Sequence, residues 1–210
     1  MKNRWKIIVV VIGIILISAI AVGPIMSRVE TPAYEVIKSQ GKIEIRQFEP
    51  MIIAEVQVQG ERADAISKGF RLLADYIFGN NTTRQNIAMT APVQQRESSQ
   101  IAMTAPIQQQ STKDSWLVSF VMPSEYSMES LPEPKSDRVT LKRIPSQQFI
   151  VITFSGTSSN ENLREHEEEL IEFTKVNNIS VTGTFKYAFY NPPWTLPLMR
   201  RNEVMTEMQW

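Results

Sequence analysis

The sequence predicts an α+β domain made of two strand-helix-strand-strand halves, preceded by one N-terminal hydrophobic helix. Three observations lead there. Short segments alternate apolar and polar residues, two longer ones switch to the helical period, and the second half of the chain repeats the element order of the first. With 210 residues, 42% of them hydrophobic and 21% charged, the chain can bury one substantial core but not two ordinary domains plus a membrane segment.

The N-terminal segment begins with the basic stretch Met1-Lys-Asn-Arg-Trp-Lys6, followed by an uncharged apolar run from Ile7 to Gly23 that Pro24 interrupts. As a helix rising ~1.5 Å per residue, the run reaches roughly 25 Å, slightly short of a hydrocarbon core. Basic before apolar holds the N-terminus inside and sends the following chain to the opposite face. Residues 1–28 are therefore expected to form a membrane anchor, touching the bilayer through residues 7–23, with a domain at 29–210 on the extracytoplasmic side, periplasmic in a Gram-negative bacterium. A second reading stays open: Ala19-Ile20-Ala21 offers the small residues a signal peptidase reads, which would release an exported protein.

Tyr34–Lys38 and Lys42–Arg46 alternate around Ser39-Gln40-Gly41 and predict a hairpin; Met51–Val58 predicts a third strand. From Glu61 the spacing of Ile66, Phe70, Leu73 and Ile77 is that of an amphipathic helix, stopped by Gly79-Asn-Asn81, with Arg62, Lys68 and Arg71 among its polar positions. Trp116–Met122 reads as a strand, and Pro123-Ser124 as the start of a short helical turn. Strands at Arg138–Ile144 and Gln148–Phe154, a helix from Ser159 to Val176, and strands at Thr184–Tyr190 and Glu203–Met208 complete the second half. Two such halves facing each other would leave a ligand groove between sheet and helices.

Composition narrows the function classes. Outside residues 1–28 the chain holds 18 basic and 22 acidic residues, a net of −4, which suits neither DNA nor RNA. The absence of cysteine removes disulfides, thiolate metal sites and cysteine nucleophiles. No Gly-x-Ser-x-Gly, phosphate-cradling loop or dinucleotide fingerprint occurs, and a single histidine cannot build a metal triad, so neither catalytic nor metal-ligating residues are assigned.

Four features remain to be placed. Ile87-Ala-Met-Thr-Ala-Pro92 recurs as Ile101-Ala-Met-Thr-Ala-Pro106, and extended copies joined through Arg96-Glu-Ser-Ser99 would pair as a hairpin, either a duplicated strand or a Met-lined ligand wall. His166 lies on the apolar stripe Leu163, His166, Leu170 and Phe173, as a locally bonded boundary histidine or an axial haem ligand. Glu165 and Glu167-Glu-Glu169 around it read as a solvated face. Tyr190-Asn-Pro-Pro-Trp-Thr-Leu-Pro197 is a stiff loop presenting Trp194, placed to plug the core or to hold a ligand.

Ile-Ala-Met-Thr-Ala-Pro at 87–92, Val118-Ser-Phe-Val-Met-Pro123, Arg164-Glu-His-Glu-Glu-Glu-Leu170, and Tyr-Asn-Pro-Pro-Trp-Thr-Leu-Pro with Arg-Arg-Asn-Glu at 190–203 resemble the SOUL haem-binding protein family from about Val29 to Met208. The resemblance implies a distorted antiparallel β-barrel of two pseudo-symmetric β-α-β-β halves flanked by two long helices. It further implies non-enzymatic binding of haem or another tetrapyrrole in a groove beside the first helix. Ile66, Phe70, Leu73 and Trp194 are the expected apolar contacts, and Lys68 and Arg71 the expected charges for propionates. Ser67, Asp75 and Thr195 stand where better-known animal members carry basic residues. The alternatives are a binding domain for an amphipathic effector or lipid, and an enzyme that removes the metal of a tetrapyrrole.

Overall fold

The computed structural model describes residues 29–97 and 115–209. The expected hairpin is present: β1 (Tyr34–Gln40) and β2 (Ile43–Phe48) pair antiparallel, and the turn between them passes through Gly41 at φ +62°, a left-handed conformation that glycine adopts without a Cβ penalty. Then come β3 (Met51–Gln59), α1 (Arg62–Ile77), β4 (Val93–Glu97), β5 (Ser115–Val121), β6 (Thr140–Ile144), β7 (Gln147–Phe154), α2 (Asn160–Val176), β8 (Val181–Phe189), a 3-10 turn (Pro197–Met199) and β9 (Asn202–Met208). The fold is α+β: among the described residues, nine strands form one antiparallel sheet in the order β1-β2-β7-β9-β8-β4-β5-β3-β6, curled into a half-barrel carrying two helices.

The two halves meet where β4 pairs β8, and each has lent a strand to the other. β2, first-half in sequence, pairs with β7 (Ile43↔Ile152), while β6 pairs with β3 (Met51↔Ile144). Alternation then sorts each strand's side chains between two faces. On one face Ala54, Val56, Val118 and Phe120 pack beneath α1, and Ile150, Ile152 and Val204 beneath α2. On the face opposite the helices, Phe48, Phe149, Val151, Ala188 and Met205 form a third cluster.

The first helix is seated differently from a simple reading of its bulky residues. The face of α1 against the sheet is Ala65, Gly69, Leu73, Tyr76 and Ile77, so Ile66 and Phe70 lie on its flank. The small residues bring the helix down onto β5, where a Cβ on Gly69 would sit 2.6 Å from the Cβ of Val118. No groove therefore opens between α1 and the sheet at that point. Gly69→Ala is expected to lower the melting temperature, because overpacking costs about 1–3 kcal/mol against about 1 kcal/mol gained in helix propensity. A higher melting temperature would show that the helix can lift without loss. α2 matches its expectation closely: the Ser159 hydroxyl accepts from the Asn162 backbone N–H at 3.3 Å as N-cap, and Leu163, His166 and Leu170 are buried.

Four further departures bear on the site. Arg62, expected among the exposed polar positions, is buried, and its guanidinium donates to Asn160 Oδ1 at 2.6 Å and to the Ser158 carbonyl, tying the start of α1 to the start of α2. β4 was not anticipated; after Val93, the middle of its helix-side face is Gln95, whose Nε2 donates to the Arg62 carbonyl at 3.0 Å where a second apolar side chain would ordinarily mark a strand. The 87–92 copy is no ladder strand: Ile87, Thr90 and Pro92 are buried while Met89 is exposed, and the Ile87 N–H donates to the carbonyl of Ile77 at 2.8 Å. Around Pro123 the chain makes turns in place of a helix. The copy at 101–106 and the hydrophobic segment at 1–28 lie outside the described residues. No helix among the described residues is long and apolar enough to cross a membrane.

Candidate functional site

The proline loop is stiff because Arg200 holds it from within. Its Nε donates to the Thr195 carbonyl at 2.7 Å and its Nη2 to the Pro193 carbonyl at 2.5 Å. The loop is fastened to the body by the Gly156 N–H donating to the Pro197 carbonyl at 2.8 Å and the Arg201 N–H donating to Asn191 Oδ1 at 2.6 Å. So braced, it turns its apolar side chains outward: Trp194 is 70% exposed, Leu198 87%, and Leu196 is also exposed. Trp194 does not plug the core. Ser158, two residues beyond Gly156, is the carbonyl that accepts from Arg62, so the loop lies at the end of the molecule where α1 begins.

On α1, Phe70 is 36% exposed and meets Phe120 edge-on, with centroids 5.3 Å apart, so part of its ring stays open to solvent. Ile66 is half-buried against the core. Lys68 and Arg71, three residues apart and hence neighbours on the helix surface, are both exposed and form no ion pair among the described residues. Leu73 departs from expectation: it is 0% exposed, in the layer between helix and sheet, because the small residues Ala65 and Gly69 rotate the helix so that Leu73 points at β5. The structure thus leaves Phe70, Lys68 and Arg71 accessible on α1 and Trp194 accessible on the proline loop, and withdraws Leu73.

His166 is buried. Its Nδ1 lies 2.7 Å from the Asn162 carbonyl, one turn back on α2, and its ring stacks on Phe154 at 3.9 Å. This is the locally bonded histidine of a helix-sheet contact, and it does not front the exposed apolar surface. Glu165 and Glu168 are exposed, Glu169 pairs with Lys42 at 2.7 Å, and Glu167 accepts from the Tyr187 hydroxyl at 2.7 Å. Among the described residues no group of three or more His, Cys, Asp or Glu is placed to hold a metal ion.

The face opposite the helices carries a second concentration of chemistry, which alternation alone did not reveal. At one side Glu203 accepts from Arg46 Nη1 at 2.9 Å, Arg201 Nη2 at 2.6 Å and the Tyr190 hydroxyl at 2.7 Å. Burial, followed by the Glu203 carboxylate, pushes the Tyr190 phenol well above its ordinary range. On the other side Glu55 pairs with Arg96 at 3.3 Å and with Lys142. Between these clusters Lys186 lies over the ring of Phe149 at 4.3 Å. A separate cleft of about 660 Å³ opens between residues 30–33, 49–52 and 121–128, with Thr90, Tyr126 and Arg143 in its wall.

A curled nine-stranded antiparallel half-barrel with one helix per half defines the class of this α+β fold among the described residues. Residues 29–207 match the model of the family described as SOUL heme-binding protein, and the chain belongs to that family. It is similar to Heme-binding protein 2 of Homo sapiens, with 29% identity over 185 residues spanning 84% of each protein. Among solved structures it is similar in fold to the EcmrR C-terminal domain, with a TM-score of 0.58 and 10% identity over 84% of this chain and 98% of that one. It is likewise similar in fold to a structure named as a hydrolase from Listeria innocua, with a TM-score of 0.57 and 12% identity over 82% and 94%. At these identities the structural likenesses speak for the fold alone.

Proposed function

We propose that this protein binds haem or another tetrapyrrole without chemical turnover, on the surface shared by α1 and the proline loop. The observation that carries the reading is the outward display of Trp194, Leu196 and Leu198 on a loop braced by Arg200, beside a helix whose Lys68 and Arg71 are exposed and unpaired among the described residues. Family membership and the similarity to a human haem-binding protein supply independent support. These residues suit a flat, amphipathic ring system. Trp194, Leu196, Phe70 and the accessible part of Ile66 would cover its apolar face, and Lys68 and Arg71 would meet its propionates. His166, turned toward Phe154, supplies no axial ligand.

Haemin titrated into the protein is expected to shift the Soret band and quench tryptophan fluorescence. Trp194→Ala is expected to weaken binding about tenfold, or about 1.4 kcal/mol, and Lys68→Glu with Arg71→Glu to weaken it further. His166→Ala is expected to leave the Soret position unchanged. Absence of both spectral responses at micromolar haemin would overturn the proposal.

Residues 1–28 complete this reading as an address that places the domain on the extracytoplasmic side of a membrane, on the strength of Lys2, Arg4 and Lys6 preceding the apolar run. The mass of the mature N-terminus distinguishes retention from cleavage after Ala21. Protease resistance of the domain in intact cells stripped of their outer layers would overturn the orientation.

A further inference from the structure

We infer that the sheet face opposite the helices holds a second binding site, selective for a carboxylate attached to a short apolar body, in which Lys186 and Arg96 receive the anionic group. The site lies on the other side of the sheet from α1 and stands independently of the tetrapyrrole reading.

The argument begins with register. Arg96 on β4 and Lys186 on β8 are direct partners across the junction between the two halves, and both point to the face opposite the helices. Like charges directly opposite each other in a sheet repel, and here they do so in the middle of a sheet and not at an edge. Arg96 has Glu55 at 3.3 Å, but Glu55 is shared with Lys142. Lys186 has no carboxylate partner among the described residues; its neighbour is the ring of Phe149. Glu207 on β9 lies near enough to act on Lys186 but its nearest donor is the neutral amide of Gln147 at 2.8 Å, so the three cations meet two acids and one positive charge is left over. The adjoining Glu203 cluster is satisfied internally by Arg46 and Arg201 and has no cation to spare for an acid or acid to spare for Lys186.

A half-buried ammonium without a counterion is unfavourable, and burial followed by the proximity of Arg96 lowers Lys186 to a pKa of about 8. An incoming carboxylate would relieve both effects. Space is available next to it. A cavity of about 50 Å³ is lined by Lys186, Arg96, Ser119, Gln94 and the apolar side chains of Ile53 and Ile144, with Glu55, already paired to Arg96 and Lys142, also in its wall. It adjoins a smaller hollow that shares Met51, Gln94 and Lys186 and is walled by Phe149 and Met205. A carboxylate head fits the first volume, which has room for a few water molecules. A short alkyl chain would lie along Met51, Ile144 and Pro145, the apolar side chains of the two hollows that stay partly exposed, above the buried Phe149 and Met205.

The test is calorimetric titration of the full chain with octanoate, octanol and octylammonium, repeated with Lys186→Met and Arg96→Gln. Octanoate is expected to bind at one equivalent and at least tenfold more tightly than octanol or octylammonium. Each substitution is expected to weaken octanoate at least tenfold, with the haemin response of Trp194 unchanged. Octanoate affinity is also expected to fall as pH rises through about 8, where Lys186 loses its proton. The charged groups that face Lys186 are Arg96, Glu55 and Glu207. Lys142, the remaining amine, is held by Glu55. Equal binding of octanoate and octylammonium, or octanoate affinity retained within twofold by both variants, would overturn the inference. Circular dichroism of each variant confirms that it folds, and because either substitution suffices, failure of one to fold leaves the other to decide.

Discussion

Glu203→Gln is expected to cost about 3–5 kcal/mol of folding stability, the range for removing one partner from a buried ionic network. Glu203 is 0% exposed and accepts from Arg46 at 2.9 Å, from Arg201 at 3.0 and 2.6 Å, and from the Tyr190 hydroxyl at 2.7 Å. Burial opposes the charge on both arginines, yet Glu203 outweighs it, so both guanidiniums are held above their ordinary pKa. Gln keeps the shape and removes the charge, leaving Arg46, itself buried, with Glu44 at 2.7 Å as its one remaining carboxylate among the described residues. Urea denaturation reads the loss as a lower midpoint with an unchanged slope. A loss below about 1 kcal/mol would show that the two arginines rehydrate and that the network is a surface feature in energetic terms.

Lys186→Met is expected to act in the opposite direction and to depend on pH. The ammonium has its folded pKa lowered from 10.5 to about 8, first by burial and then by Arg96, while the unfolded chain keeps the ordinary value. Below about 8 both states are protonated and the folded state bears the full penalty. Between about 8 and 10.5 the unfolded chain binds the proton that the folded protein has shed, so wild-type stability rises with pH. Met fills the place over Phe149 without charge. The substitution is therefore expected to stabilise by on the order of 2 kcal/mol at pH 7, the pKa shift taken at about 1.4 kcal/mol per unit and reduced because the side chain is only half-buried. The gain should shrink toward zero by pH 10. An equal gain at both pH values would assign it to packing. A residue that weakens the fold at neutral pH and supplies the charge of a proposed site is the kind of local conflict that function sustains.

How much of this was legible in the chain varies by element. β1, β2, β3, β5, β6, β7, β8 and β9 were legible because the alternation of apolar and polar residues that marks a strand is a local pattern. β4 was not, since Gln95 replaces the expected apolar residue and its burial is compensated by a bond to a carbonyl 33 residues away. The helical nature of α1 was legible, but its rotation was not. Ala65 and Gly69 carry little hydrophobic weight, yet their smallness decides which face touches β5. The surface proposed for a tetrapyrrole was partly legible through the proline loop, where three fixed φ angles imply stiffness. That the loop turns Trp194 outward depends on Arg200 and on the hydrogen bond between Gly156 and Pro197.

The α+β class, the doubled strand-helix order and the second helix around His166 were readable from the chain alone, because each of these rests on residues adjacent or nearly adjacent in it. Only the tertiary structure decided the exchange of β2 and β6 between halves, the withdrawal of Leu73, the burial of Arg62 and the meeting of Arg96 with Lys186. Those are outcomes of pairing and packing between residues tens of positions apart, settled by register across the sheet and by the volume of side chains beneath the helices, and neither quantity is carried by a local pattern.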